Sequence, residues 1–102
     1  MRFRRALTRN LKMVLAALKI KIMPVSPETD LEKIKADAKE IIESLEAKLH
    51  ASEIEPIAFG LNALILTIAW PENKDLDLIE NAVAKIENVQ SVETIDFRRA
   101  FG

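Results

Sequence analysis

Sixteen carboxylates, one histidine and no cysteine set the chemistry open to this 102-residue chain. Without cysteine it has no disulfide, thiolate metal site, iron–sulfur cluster or thiol nucleophile. A single histidine, His50, builds neither a multi-histidine metal site nor a metalloprotease motif. With Gly60 and Gly102 as its only glycines, the chain has no phosphate-binding loop, dinucleotide-binding fingerprint or nucleophile elbow. Acidic pairs such as Glu53/Glu55 and Asp75/Asp77 arise by chance at this density of carboxylates and read as solvated surface, and His50 reads as a surface or half-buried histidine. No catalytic group is expected.

Two stretches remain as candidates for recognition. In Glu55-Pro56-Ile57-Ala58-Phe59-Gly60-Leu61, a proline fixes one backbone angle and a glycine follows an aromatic directly before a strand. Such a turn either tucks Phe59 over the core or holds it outward as an anchor for a pocket on another protein. Truncating an anchor of that kind costs about 2 kcal/mol or more. The tail, Asp96-Phe97-Arg98-Arg99-Ala100-Phe101-Gly102, sets two arginines and two aromatics together in an otherwise acidic body. It reads either as a strand end with solvated arginines or as cations aimed at an acidic surface or phosphate.

The elements that must position these stretches follow from hydrophobic period. Val14 to Met23 alternates Leu18, Ile20 and Ile22 with Lys19 and Lys21, a half-buried strand that Pro24 and Pro27 end. Thr29 and Glu32 form a capping-box signature. Leu31, Ile34, Ala38, Ile41 and Leu45 then recur on one helical face, a period that could run on to Leu49. After the Pro56 turn, Leu61 to Trp70 is apolar in both registers, a central strand covered on one face and partly on the other. Pro71-Glu72-Asn73 is turn chemistry. Asn73 or Asp75 can cap a second helix with Leu76, Ile79, Val83 and Ile86 on its face. Asn88 suits a left-handed terminator, and Val92 to Phe97 closes as a strand. With one more strand from residues 46–55, the order is βαββαβ: an α+β, ferredoxin-like fold with a four-stranded antiparallel sheet and two helices on one face.

Composition agrees with one soluble globular domain, since 49% of the chain is apolar and 30% charged. The net charge of −1 is uneven: residues 1–12 hold Arg2, Arg4, Arg5, Arg9 and Lys12 with no acid, so the rest carries −6. An acidic body argues against tracking nucleic-acid phosphates. A base-stacking sheet needs solvent-facing aromatics, and the central strand offers only Trp70 at its far end. The first twelve residues read as a targeting segment, a basic arm for RNA or a ribosome, or a dispensable extension.

Lys19-Ile20-Lys21-Ile22-Met23-Pro24, the helix start Ser26-Pro27-Glu28-Thr29-Asp30-Leu31-Glu32-Lys33, the Glu55–Leu61 run and Arg98-Arg99 carry a resemblance. In order, and over about residues 13–100, they resemble the archaeal elongation factor 1-beta family. The resemblance implies the ferredoxin-like fold, a second strand around Ala47 to Glu53, and a first helix that stops near Glu43 to Leu45. It implies an exchange-factor domain over residues 13–102 and favours residues 1–12 as a basic extension, which without a packing pattern is expected to be poorly ordered. It also implies a guanine nucleotide exchange factor for elongation factor 1-alpha, the GTPase that delivers aminoacyl-tRNA. Such a factor is not an enzyme and needs no cofactor or metal. It is expected to be cytoplasmic and monomeric when free, with no membrane and no direct nucleic-acid contact.

The implied GTPase contact is Pro56, Ala58, Phe59 and Gly60 with Arg98 and Arg99. In eukaryotic relatives an aromatic in the matching turn and a lysine near the C-terminus approach the nucleotide and magnesium. Phe59 supplies the aromatic, but the tail here carries arginines and no lysine. Two other readings stand beside this one: a small-molecule regulatory module of the same fold, and a ribosome- or RNA-associated protein acting through residues 1–12.

Overall fold

The structure, a computed structural model, describes residues 15–98. The basic stretch over residues 1–12 and Arg99 lie outside the described residues. The elements are β1 (Leu15–Pro24), α1 (Leu31–Ser44), β2 (Lys48–Pro56), β3 (Asn62–Pro71), α2 (Leu76–Ala84) and β4 (Val89–Arg98). The strands form one antiparallel sheet in the order β2-β3-β1-β4, the ferredoxin-like arrangement that the sequence order implies.

The core lies between one face of this sheet and the two helices. Leu18, Ile20 and Ile22 of β1 pair with Ile68, Leu66 and Leu64 of β3, so period-two apolar residues on adjacent strands share a face. Ile34, Ala38 and Ile42 of α1 and Ile79 and Val83 of α2 close over them. Trp70, the one aromatic the sequence offered for base stacking, is buried in this core, and its Nε1–H donates to the Lys74 carbonyl at 3.2 Å. The opposite face of β1 sets Lys19 and Lys21 between half-buried Ala17 and Met23, and Ala63 and Ile65 of β3 are buried there too. Lys21 reaches Glu55 across that face at 3.8 Å. The central strand is therefore covered on one face and partly on the other.

Three local details refine the sequence reading. The cap of α1 is Asp30 and not Thr29: its carboxylate accepts from the N–H groups of Glu32 and Lys33, at 3.0 and 3.4 Å. The Thr29 hydroxyl instead accepts from the Ser26 N–H at 3.3 Å and belongs to the loop. Helix α1 ends at Ser44, as the resemblance implies, and not at Leu49. Glu46 adopts φ 66°, while the Ala47 N–H donates to Ile42 and the Glu46 N–H to Glu43, both at 3.0 Å. This is a Schellman closure, and it throws the chain into β2. Strand β4 is longer than Val92 to Phe97, because the Asn88 turn, left-handed at φ 72°, delivers Val89 straight into pairing with Pro24.

Candidate functional site

The candidate site is the tip of the β2–β3 hairpin. Pro56 pairs with Asn62, and the five residues between them fold back through two hydrogen bonds. The Ile57 N–H donates to the Leu61 carbonyl at 2.7 Å, and the Leu61 N–H donates to the Ala58 carbonyl at 3.2 Å. Phe59 at φ 61°, ψ 30° and Gly60 at φ 78° are consecutive left-handed residues, the signature of a type I′ turn. The turn matches the twist of the flanking strands, but asparagine is the usual first residue. A phenylalanine there holds a conformation that costs on the order of 1 kcal/mol.

The strained residue is also the most exposed large apolar side chain described: Phe59 is 92% exposed. Of the two placements its sequence allowed, the structure adopts the outward one. Pro56, Ala58 and Gly60 are exposed beside it. Val25 and Ile54, each about half exposed, lie toward the same end of the sheet. Neither was singled out from sequence. The signal for Ile54 was an isoleucine set between Glu53 and Glu55 in an edge strand.

Arg98 is not part of this tip. It pairs with Ala17 at the other end of the sheet and binds its neighbour Asp96, Nε to Oδ2 at 3.1 Å. The structure therefore brings Pro56, Ala58, Phe59 and Gly60 together and leaves Arg98 apart from them. The acidic pairs read as surface have local roles. Asp75 caps α2 through the Asp77 N–H at 3.0 Å, and Glu55 is the partner of Lys21. Among the described residues no cluster of three or more histidine, cysteine or acidic side chains could hold a metal ion, and no helix is long and apolar enough to cross a membrane.

Phe59 stands outward at the hairpin tip, and comparison with known proteins gives the family to which the chain belongs. Residues 17–100 match the EF-1 guanine nucleotide exchange domain. The chain belongs to the EF-1 guanine nucleotide exchange domain family. Similar proteins include elongation factor 1-beta of Methanocaldococcus jannaschii, 44% identical over 79 residues, which are 76% of this chain and 89% of that one. Elongation factor 1-beta of Methanosarcina acetivorans is 45% identical over 85 residues, 81% of this chain and 94% of that one. That of Methanococcus maripaludis is 40% identical over 79 residues, with 76% and 89% covered.

The resemblance read from Lys19–Pro24, Ser26–Lys33 and Glu55–Leu61 thus identifies an EF-1 guanine nucleotide exchange domain. Its function is guanine nucleotide exchange in translation elongation. These matches favour neither the small-molecule module nor the RNA-associated reading.

Proposed function

We propose that the chain accelerates GDP release from elongation factor 1-alpha by docking the Phe59 turn into the GTPase, with Pro56, Ala58 and Gly60 shaping that turn. The observation that carries the reading is Phe59 itself, an aromatic held outward in left-handed backbone with no role in the core. Strain of this kind persists where the surroundings over-determine it, and it concentrates at binding sites.

The action is linkage and involves no covalent step. A partner that binds the nucleotide-free GTPase more tightly than the GDP form must weaken GDP by the same factor. GTP then rebinds and expels the chain, regenerating the form that takes aminoacyl-tRNA. In this reading the chain is a regulator and not an enzyme. It works in the cytoplasm as a monomer, and it carries no cofactor. Arg98 and Arg99 would meet the GTPase, if at all, through a contact separate from Phe59, because Arg98 stands at the opposite end of the sheet.

The test is release of a fluorescent GDP analogue from elongation factor 1-alpha at fixed magnesium. The chain should give a large, saturable acceleration, and Phe59→Ala should remain folded but slow exchange at least about tenfold. A folded Phe59→Ala protein with normal exchange would remove the turn from the contact.

A further inference from the structure

Strand β3 is buried on both faces, although the helices cover only one. Ala63 and Ile65 alternate with the core residues Leu64 and Leu66, so they lie on the helix-free face. They are nonetheless 0% and 5% exposed, and neither belongs to the cluster under the helices. Their cover comes from the strands on either side. Ile65 stands opposite Lys21 of β1 and Glu53 of β2, and Ala63 stands opposite Glu55 of β2. The Lys21 side chain is only 26% exposed, and its ammonium lies 3.8 Å from the Glu55 carboxylate. A line from Lys21 to Glu55 crosses β3 between Ile65 and Ala63. The lysine stem therefore lies along the sheet over this pair and carries its charge to the edge strand.

Glu55 is placed where such a strap matters. Strand β2 is an edge strand that pairs with β3 alone, and Glu55 directly precedes Pro56, where the turn begins. On the other face α1 leaves this part of β2 half uncovered, since Ile54, paired with Leu64, is 53% exposed. The helix layer thus gives the outer arm of the hairpin little support just below the tip. The arm is held by its ladder to β3 and, from β1, by Lys21. Glu93 of β4 also stands opposite Lys21, yet the ammonium reaches Glu55 on the hairpin.

We propose that Lys21 is a positioning residue for Phe59: through Glu55 it ties the base of the turn to β1 and sets the angle at which the hairpin presents its aromatic to the GTPase. The inference rests on the reading of Phe59 as the GTPase contact. An exposed ion pair adds little to global stability, so the tie should appear in exchange and hardly in unfolding. A tip held in its docking orientation loses less conformational freedom on binding, and Lys21 need not touch the partner for this.

The experiment is a set of double-mutant cycles on GDP-analogue release, using the full chain and elongation factor 1-alpha. Rates for Lys21→Met, Glu55→Gln, the two combined, Lys21→Arg, and Phe59→Ala with and without Lys21→Met are measured alongside each protein's thermal midpoint. Methionine keeps an apolar stem over Ile65 and removes the charge, so these variants should stay folded. Lys21→Met and Glu55→Gln should each slow exchange about two- to fivefold, the span an exposed pair can supply. The two combined should be no slower than either alone, because both remove one contact. Lys21→Arg keeps the cation and should recover most of the rate. In the Phe59→Ala background Lys21→Met should change nothing further. Wild-type exchange in Lys21→Met overturns the inference, and so does a Lys21→Met defect that persists undiminished without Phe59. A defect in Lys21→Met that Glu55→Gln does not share overturns it too, and would make Lys21 a direct contact of the GTPase. A neutral Phe59→Ala overturns the reading of Phe59 itself and this inference with it. A defective Phe59→Ala beside a neutral Lys21→Met overturns this inference alone.

Discussion

Phe59 projects from the β2–β3 turn while Arg98 pairs with Ala17 at the other end of the same sheet. Ala17 in turn faces Ala69, seven residues along β3 from Asn62. At about 3.3 Å per residue the two side chains are separated by more than ~20 Å. One pocket cannot take both.

Energetic independence follows from that distance. Substitutions more than about 10 Å apart with no shared partner add within ~0.5 kcal/mol. Arg98→Ala and Phe59→Ala should therefore have multiplicative effects on the exchange rate. Arg98 is exposed and, among the described residues, pairs with its neighbour Asp96, so its removal should change stability by less than about 0.5 kcal/mol. A strongly non-additive double variant would mean that the GTPase couples the two ends.

Phe59→Asn separates stability from exchange. Asparagine tolerates the left-handed conformation, and Asn-Gly is the favoured pair for a type I′ turn. The phenyl ring, 92% exposed, takes little packing with it when removed. The variant should unfold at higher denaturant, with a gain of roughly 0.5–1 kcal/mol. It should also lose exchange as Phe59→Ala does. Trp70, the single tryptophan and fully buried, reports the unfolding by fluorescence. A loss of stability would show that Phe59 supports the fold and not a partner.

Helix caps give a local test. Asp30→Ala leaves the Glu32 and Lys33 N–H groups without their carboxylate and should cost about 1 kcal/mol. Thr29→Ala leaves the helix capped and loosens only the Ser26 contact in the loop, so it should cost less. Equilibrium unfolding of the two variants compares them directly.

Most of the fold was legible because the strands and helices that build the core keep their periods. The second strand was harder. Between Leu49 and Ala51 its register against β3 shifts, so His50 breaks the alternation that marks a strand. Leu49 also continues the helical spacing of Leu45, although it pairs with Ile68 in the sheet. The Phe59 turn was visible through Pro56 and Gly60, but nothing in a phenylalanine announces a positive φ. The separation of Phe59 from Arg98 was already implicit in the βαββαβ order. In that order the β2–β3 turn and the end of β4 fall at opposite ends of an antiparallel sheet.

The residue that hid the end of α1 also offers a stabilising change. Glu46 occupies the left-handed position of the Schellman closure at φ 66°, where glycine carries no steric penalty. Its carboxylate lies 3.6 Å from the Lys74 ammonium but is mostly exposed, so that pair contributes little. The Lys74 ammonium retains its hydrogen bond to the Leu45 carbonyl whatever stands at position 46. Glu46→Gly should therefore raise stability by about 0.5–1 kcal/mol, the conformational relief outweighing a weak ion pair. Because the change lies at the α1–β2 corner, across the sheet from Phe59, exchange on the GTPase should stay at the wild-type rate. Thermal unfolding and GDP-analogue release on the same sample check both halves. A destabilised Glu46→Gly would mean that the Lys74–Glu46 pair is stronger than its exposure implies.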